Sequence, residues 1–157
     1  MSAVGGDDAP LRIGQAGRPI GTTFQQSLGV RWAAVVEGED RDAVAIELTL
    51  RPELCGPAGS LEGGIVSTLV DVAGASAAAR ALGRMVATQH IAVSFVAPGR
   101  VGPIRAIGIP VRVGRNDAVV EVKVTDLGHQ ASEEGRLMAV ALVTVRAFGE
   151  LGSASAG

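Results

Sequence analysis

One cysteine and two histidines stand among the 157 residues of the chain. A lone cysteine forms no internal disulfide and no cysteine-rich metal site, and two histidines are too few for a multi-histidine zinc centre. Neither a metal nor a redox cofactor is therefore expected. An excess of positive charge is lacking too. The 14 Lys and Arg residues face 16 Asp and Glu, a net charge of −2, which is no nucleic-acid signature. There is no P-loop and no GxGxxG run to suggest a nucleoside triphosphate or a dinucleotide. No internal repeat or long linker interrupts the chain. The start, MSAVGGDDAP, lacks the basic-plus-apolar pattern of a secretory signal, and a cytoplasmic protein is the expectation.

Apolar residues are what the sequence has in quantity: 47% of the chain, against 19% charged, with a mean hydropathy of +0.34. That is too apolar for a disordered chain and implies a large core, part of it buried between subunits. The length suits one domain of roughly 100 to 200 residues. Residues 1–20, rich in Gly, Asp, Pro and Ala, and 149–157, small and polar, read as flexible tails around a domain over 21–148.

Inside that domain, Thr22 to Leu28 has the makings of a short helix. Val30 to Val36 alternates as a strand, Glu37-Gly38-Glu39-Asp40 turns the chain, and Val44 to Leu50 alternates again, so the two predict a hairpin. A Gly/Pro loop from Cys55 to Gly64 leads into Ile65 to about Leu82, a proline-free run predicted to be one long helix. It is apolar on nearly every side, so it should be wrapped by other structure, and its Ser, Gly and Asp residues make it a poor membrane span. Four strand-like runs follow, Val86 to Val96, Ile104 to Val113, Ala118 to Thr125 and Leu137 to Phe148, with turns between them. The order β-β-α-β-β-β-β with short connections predicts an α+β domain, an antiparallel sheet of about six strands curled around one helix.

Asp71 is the only charged side chain between Gly63 and Ala79. An isolated carboxylate in a buried helix is costly, so it is either a functional group or a charge paired at a solvent-facing or inter-subunit seam. Glu62-Gly63-Gly64 directly precedes the helix. The first N–H groups of a helix lack intrahelical acceptors, and glycine admits close approach of a ligand, which makes Gly63 and Gly64 candidate oxyanion donors; the plainer reading is a Gly-containing loop. Charge is also unevenly placed. Val72 to Asn116 holds six arginines, Arg80, Arg84, Arg100, Arg105, Arg112 and Arg115, and no acid, while the rest of the chain sums to −8. Arginine forks suit phosphate, so a phosphate-bearing ligand is one reading and an ordinary solvated set the other. Cys55 reads as a loop or core thiol and His129 as a solvated loop residue.

The run Glu62-Gly63-Gly64-Ile65-Val66-Ser67-Thr68-Leu69-Val70-Asp71-Val72-Ala73 resembles the HGG-x4-L-x-D-x-A helix start of the PaaI-like acyl-CoA thioesterases, which have the hotdog fold. Val93-Ser94-Phe95-Val96-Ala97-Pro98-Gly99-Arg100 is similar to their third strand and its exit, and Val113-Gly114-Arg115 to the next hairpin; the likeness spans Leu28 to Phe148. The resemblance implies hydrolysis of an acyl-CoA, or of an acyl-carrier-protein thioester. On that reading the Gly63 N–H polarises the carbonyl, Asp71 acts as nucleophile or general base, and Thr88 lies near the attacking water. Val93, Ser94, Phe95 and His90 would line the substrate cleft, and Arg100 and Arg115 would meet the CoA phosphates. His90 is placed there because its strand parity matches Thr88. Geometry adds a constraint: eight helical residues separate Gly63 from Asp71 by about 12 Å, whereas an oxyanion donor and a nucleophile must both lie near one reacting group. A homodimer or homotetramer is therefore expected, with Asp71 supplied by a second copy. Glu62 stands where the family has its histidine, and Gly56, or Cys55, where it often has a polar Asn or Gln. These departures leave two alternatives: a non-hydrolytic acyl-thioester binder, and a hotdog dehydratase using His90 as its acid/base.

Overall fold

A computed structural model describes residues 13–18, 20–35, 40–128 and 135–150. The elements are α1 (Thr23–Leu28), β1 (Arg31–Ala33), β2 (Val44–Leu48), α2 (Gly63–Leu82), β3 (Arg84–Phe95), β4 (Ile104–Val113), β5 (Asp117–Asp126) and β6 (Arg136–Glu150), with a short 3-10 turn over Pro52–Leu54. All six strands form one sheet in the order β1-β2-β4-β5-β6-β3, and each neighbouring pair is antiparallel. One sheet and one long helix, as the hydropathy pattern predicted, make a hotdog fold.

Boundaries differ from expectation where local chemistry intervenes. α2 starts at Gly63, two residues before the apolar run, because Glu62 is extended and its carbonyl already accepts from the Ile65 and Val66 N–H groups. It ends at Gly83, whose φ of 62° is the left-handed cap that glycine adopts without a Cβ penalty. α1 is fixed by a capping box: the Gln25 N–H donates to the Thr22 hydroxyl and the Thr22 N–H to the Gln25 side chain. Gly149 and Glu150, expected in a tail, belong to β6 and pair with Met85 and Arg84. Where the first tail is described it is also ordered: the Gly17 N–H donates to the Trp32 carbonyl, the Trp32 N–H to the Arg18 carbonyl, and Ile20 is buried. The rest of both tails, the turn residues Glu37 to Glu39, and His129 lie outside the described residues.

α2 is long and apolar enough to cross a bilayer, yet it is the core helix of this domain. Val66, Leu69, Val70, Ala73, Ala77 and Ala78 are buried against Val44, Ile46 and Leu48 of β2 and the inward residues of β4, β5 and β6. The helix reaches the sheet through small residues. A Cβ on Gly108 of β4 would stand 2.6 Å from the Ala73 carbonyl oxygen, and one on Gly74 would stand 2.6 Å from a Val143 methyl. Those separations leave no room for a methyl group. Gly108→Ala is expected to lift α2 off β4 and destabilise the fold by about 3 kcal/mol, read as a lowered midpoint in urea unfolding with an unchanged m-value; a wild-type midpoint would show that the helix backbone can yield at no cost.

Candidate active site

Asp71 lies midway along α2, half-buried, on the face turned toward β3. The Thr88 hydroxyl donates to its Oδ1 at 2.6 Å, so the two residues that the resemblance singled out are brought together. Thr88 reaches α2 because its cross-strand partner is Val145, a fully buried residue on the helix side of the sheet. A register shift between Thr88 and His90 then changes the strand's phase: His90 pairs with Thr144, and Ile91 with buried Val143. The parity expected of His90 is thereby corrected. With Gln89 as the extra residue of a β-bulge, His90 projects from the face of the sheet away from α2. Ser94, opposite Val140, shares that outer face, whereas Val93 and Phe95, opposite Ala141 and Ala139, face the helix. Within one protomer, then, the structure brings Val93 and Phe95 to the helix side with Thr88, and leaves His90 and Ser94 off it.

The second half of the site is the start of α2. The chain enters the helix under tight backbone control, the Leu61 N–H donating to the Gly99 carbonyl and the Glu62 N–H to that of Leu54. Glu62 makes no side-chain cap. Its side chain lies back over Gly56, where an added Cβ would sit 3.6 Å from Glu62 Cγ. Gly63 and Gly64 are exposed, and among the described residues their N–H groups find no acceptor. A cavity of about 390 Å³ opens beside them, lined by Gly56, Pro57, Ser60 and Glu62. The Phe95 ring flanks Gly63, 3.6 Å from where a Cβ would stand. Asp71 instead borders a separate cavity of about 240 Å³, so one protomer holds the free N–H groups and the carboxylate in two different places.

Arg100 and Arg115 do not meet. Arg100 precedes β4 and Arg115 follows it, and ten extended residues span about 30 Å. Arg115 lies in the exposed β4–β5 turn beside the Arg112–Asp117 ion pair of 3.1 Å. Arg100 belongs to the α2 entrance, through the neighbouring Gly99 carbonyl that holds Leu61. Cys55 is half-buried with its thiol 3.6 Å from the Arg51 carbonyl, a packed thiol as the sequence suggested.

The residue that pattern reading missed is Asp126. It is 5% exposed, and its carboxylate accepts the backbone N–H groups of Arg100, Val101, Gly102 and Gly128 at 2.8–3.0 Å. Burial pushes its pKa up, but the N–H donors of Val101, Arg100, Gly102 and Gly128 outweigh burial and hold the carboxyl below its usual range. The Asp-Leu-Gly of the turn was the one available signal, since Asp two residues before a glycine can accept the turn's N–H.

A depressed carboxylate stabilises the fold above the unfolded-chain value of about 4 and withdraws that support as pH falls through the lower folded value. Asp126→Asn should lower the Tm at pH 7 by the equivalent of about 2 kcal/mol and flatten the acid limb of Tm against pH below about pH 4. An acid limb as steep as in the wild type would place the titration elsewhere.

A family model described as the thioesterase superfamily matches residues 58–133, which run from the α2 entrance through β5. Among solved structures, AziG of S. sahachiroi is 26% identical at a TM-score of 0.68, over 82% of this chain and 98% of AziG. A thioesterase family protein from Silicibacter pomeroyi is 24% identical at 0.71, over 82% and 90%. The PaaI protein of the E. coli phenylacetic acid degradation operon is 17% identical at 0.70, over 83% and 87%. No curated protein matches the chain in sequence. Residues 58–133 are thus similar to the thioesterase superfamily, and the domain as a whole shares its hotdog fold with the PaaI protein.

Proposed function

We propose that this protein hydrolyses an acyl-CoA thioester to the free acid and CoA, and that it does so as a dimer in which each site takes Gly63 from one protomer and Asp71 from the other. The observation that carries the reading is the arrangement of α2: unsatisfied N–H groups at one end, a carboxylate held by Thr88 in the middle, and eight residues, about 12 Å, between them. The thioesterase-superfamily match over residues 58–133 supports thioester hydrolysis as the reaction type.

In the step itself Asp71 takes a proton from water as the water oxygen bonds to the thioester carbonyl carbon. The oxyanion that forms accepts the Gly63 N–H at the positive end of the helix, where developing negative charge is favoured. The C–S bond then breaks and CoA leaves as its thiolate, taking up a proton in turn. If Asp71 attacks the carbonyl directly, the same oxyanion forms and water hydrolyses the resulting anhydride. Thr88, donating to Oδ1, holds the carboxylate and leaves Oδ2 to act.

The second copy has a place to dock. β3 is an edge strand of 12 residues with one neighbour, β6, and such an edge offers a row of backbone donors and acceptors. Pairing of two β3 edges about a two-fold would continue the sheet across the dimer. Arg100, whose neighbour Gly99 holds the α2 entrance, is the arginine we assign to the CoA phosphates. Glu62, folded over Gly56, leaves the helix N-terminus open, and this supports hydrolysis over the non-hydrolytic reading. The bulge that turns His90 outward removes support from the dehydratase reading.

Asp71→Asn is expected to lower kcat at least about 100-fold on the best acyl-CoA with the fold intact by circular dichroism. Wild-type turnover in that variant would make Asp71 structural. Glu62→Gln, tested alongside, should keep or raise kcat, because it removes a charge near the developing oxyanion; a loss of more than about tenfold would mean that Glu62 itself handles substrate. Sedimentation of the wild type should give a dimer or tetramer, and a fully active monomer would end the two-protomer site.

A further inference from the structure

The thioesterase match begins at residue 58, yet the 240 Å³ cavity beside Asp71 is only half built from the matched part of the chain. Ala75 and Ala79 of α2 and Val86 of β3 form its inner wall; Ile13, Ile20 and Trp32, all N-terminal to the match, form its outer wall. The polar side chains of Thr22 and Gln25 at its margin are engaged with each other's backbone in the α1 capping box. What remains is a largely apolar chamber with the Asp71 carboxylate at one side and Ser76 on its helix wall, running along α2 from Asp71 toward its C-terminus, away from the Gly63 end.

We infer that this chamber receives the acyl group of the substrate and that the N-terminal wall restricts it to compact acyl groups, excluding long fatty chains. The inference rests on the hydrolase reading above, because it places the acyl carbonyl at Asp71. Volume sets the limit. An apolar protein cavity of about 150 Å³ holds a benzene molecule, and a methylene needs about as much room as a liquid water molecule, roughly 30 Å³. The chamber therefore takes a ring with a short extension, or a chain of about eight carbons, and a chain of sixteen overfills it about twofold. Lining by Ala75 and Ala79 is what leaves the space, since a larger residue at either position would occupy it. Packing of Ile13 and Ile20 against the core holds the outer wall in place.

The chain's single tryptophan is Trp32, so the chamber wall carries its own fluorescent reporter. The experiment titrates the full-length protein with S-alkyl-CoA thioethers of four, eight, twelve and sixteen carbons, which cannot be hydrolysed, and reads Trp32 emission. Saturable changes are expected with the four- and eight-carbon probes, and at least tenfold weaker binding with sixteen carbons. Ala75→Leu fills the chamber from α2 and should weaken the eight-carbon probe at least tenfold while sparing the four-carbon one. Ile13→Ala opens the outer wall and should strengthen the twelve-carbon probe. Equal affinity for eight and sixteen carbons, or no response to either substitution, would overturn the inference. Thiol release from the matching acyl-CoAs, measured in parallel, separates the two readings. Emission changes without any thiol release would sink hydrolysis and leave the chamber standing. Hydrolysis of a sixteen-carbon acyl-CoA as fast as an eight-carbon one would sink the size limit and leave hydrolysis standing.

Discussion

The near contact between the α2 backbone and β4 governs this molecule. With no Cβ on Gly108 and none on Gly74, the helix settles until the Ala73 carbonyl and the Val143 methyls fill the space those atoms would take. Dispersion and burial over that contact depend on close approach, since a gap of even 1 Å forfeits much of the attraction. From it follow the rest of the core, the depth of α2 in the sheet, and the height at which Asp71 emerges beside β3. A helix standing further from the sheet would carry its carboxylate out of reach of Thr88.

Two polar devices then register the surface on that apolar frame. Thr88 ties the helix charge to the edge strand, and Asp126 gathers the loop before β4 and the turn after β5 onto one carboxylate. The second is the stronger, because four N–H donors converge on a group that water scarcely reaches. It holds the segment bearing Arg100 beside the entrance of α2, so the backbone position of Arg100 is fixed by main-chain donors.

Much of this was legible in the residues. Alternation gave away the strands, and the absence of any polar face on Ile65 to Leu82 announced a wrapped helix. Asp71 stood out because nothing else charged lies near it, and the Gly-Gly to Asp spacing carried the family likeness. What escaped had little or no local signature. Nothing around Gln89 marks a bulge, so counting by twos sent His90 to the wrong face. Asp126 looked like another turn acid because three of its four donors come from a loop some 25 residues earlier. The outer wall of the Asp71 chamber was hidden in a Gly- and Pro-rich stretch that reads as a tail; its order comes from pairing with β1 and burial of Ile20, which only the folded chain provides.

The bulge at Gln89 makes β3 a strand with two reading frames. Ahead of it, even-numbered residues, Val86 and Thr88, look at the helix; beyond it, odd-numbered ones do, Ile91, Val93 and Phe95. Loss of that one residue would change the strand's length by about 3 Å and yet exchange the two faces of its second half. His90, Ala92 and Ser94 would swing in, Ile91 and Val93 would go out to water, and the ring of Phe95 would leave Gly63 bare. A deletion that looks minor in an alignment would thus rewrite both the core and the mouth of the site, which makes the spacing between Thr88 and Phe95 as informative a signature of this chain as the identity of either residue.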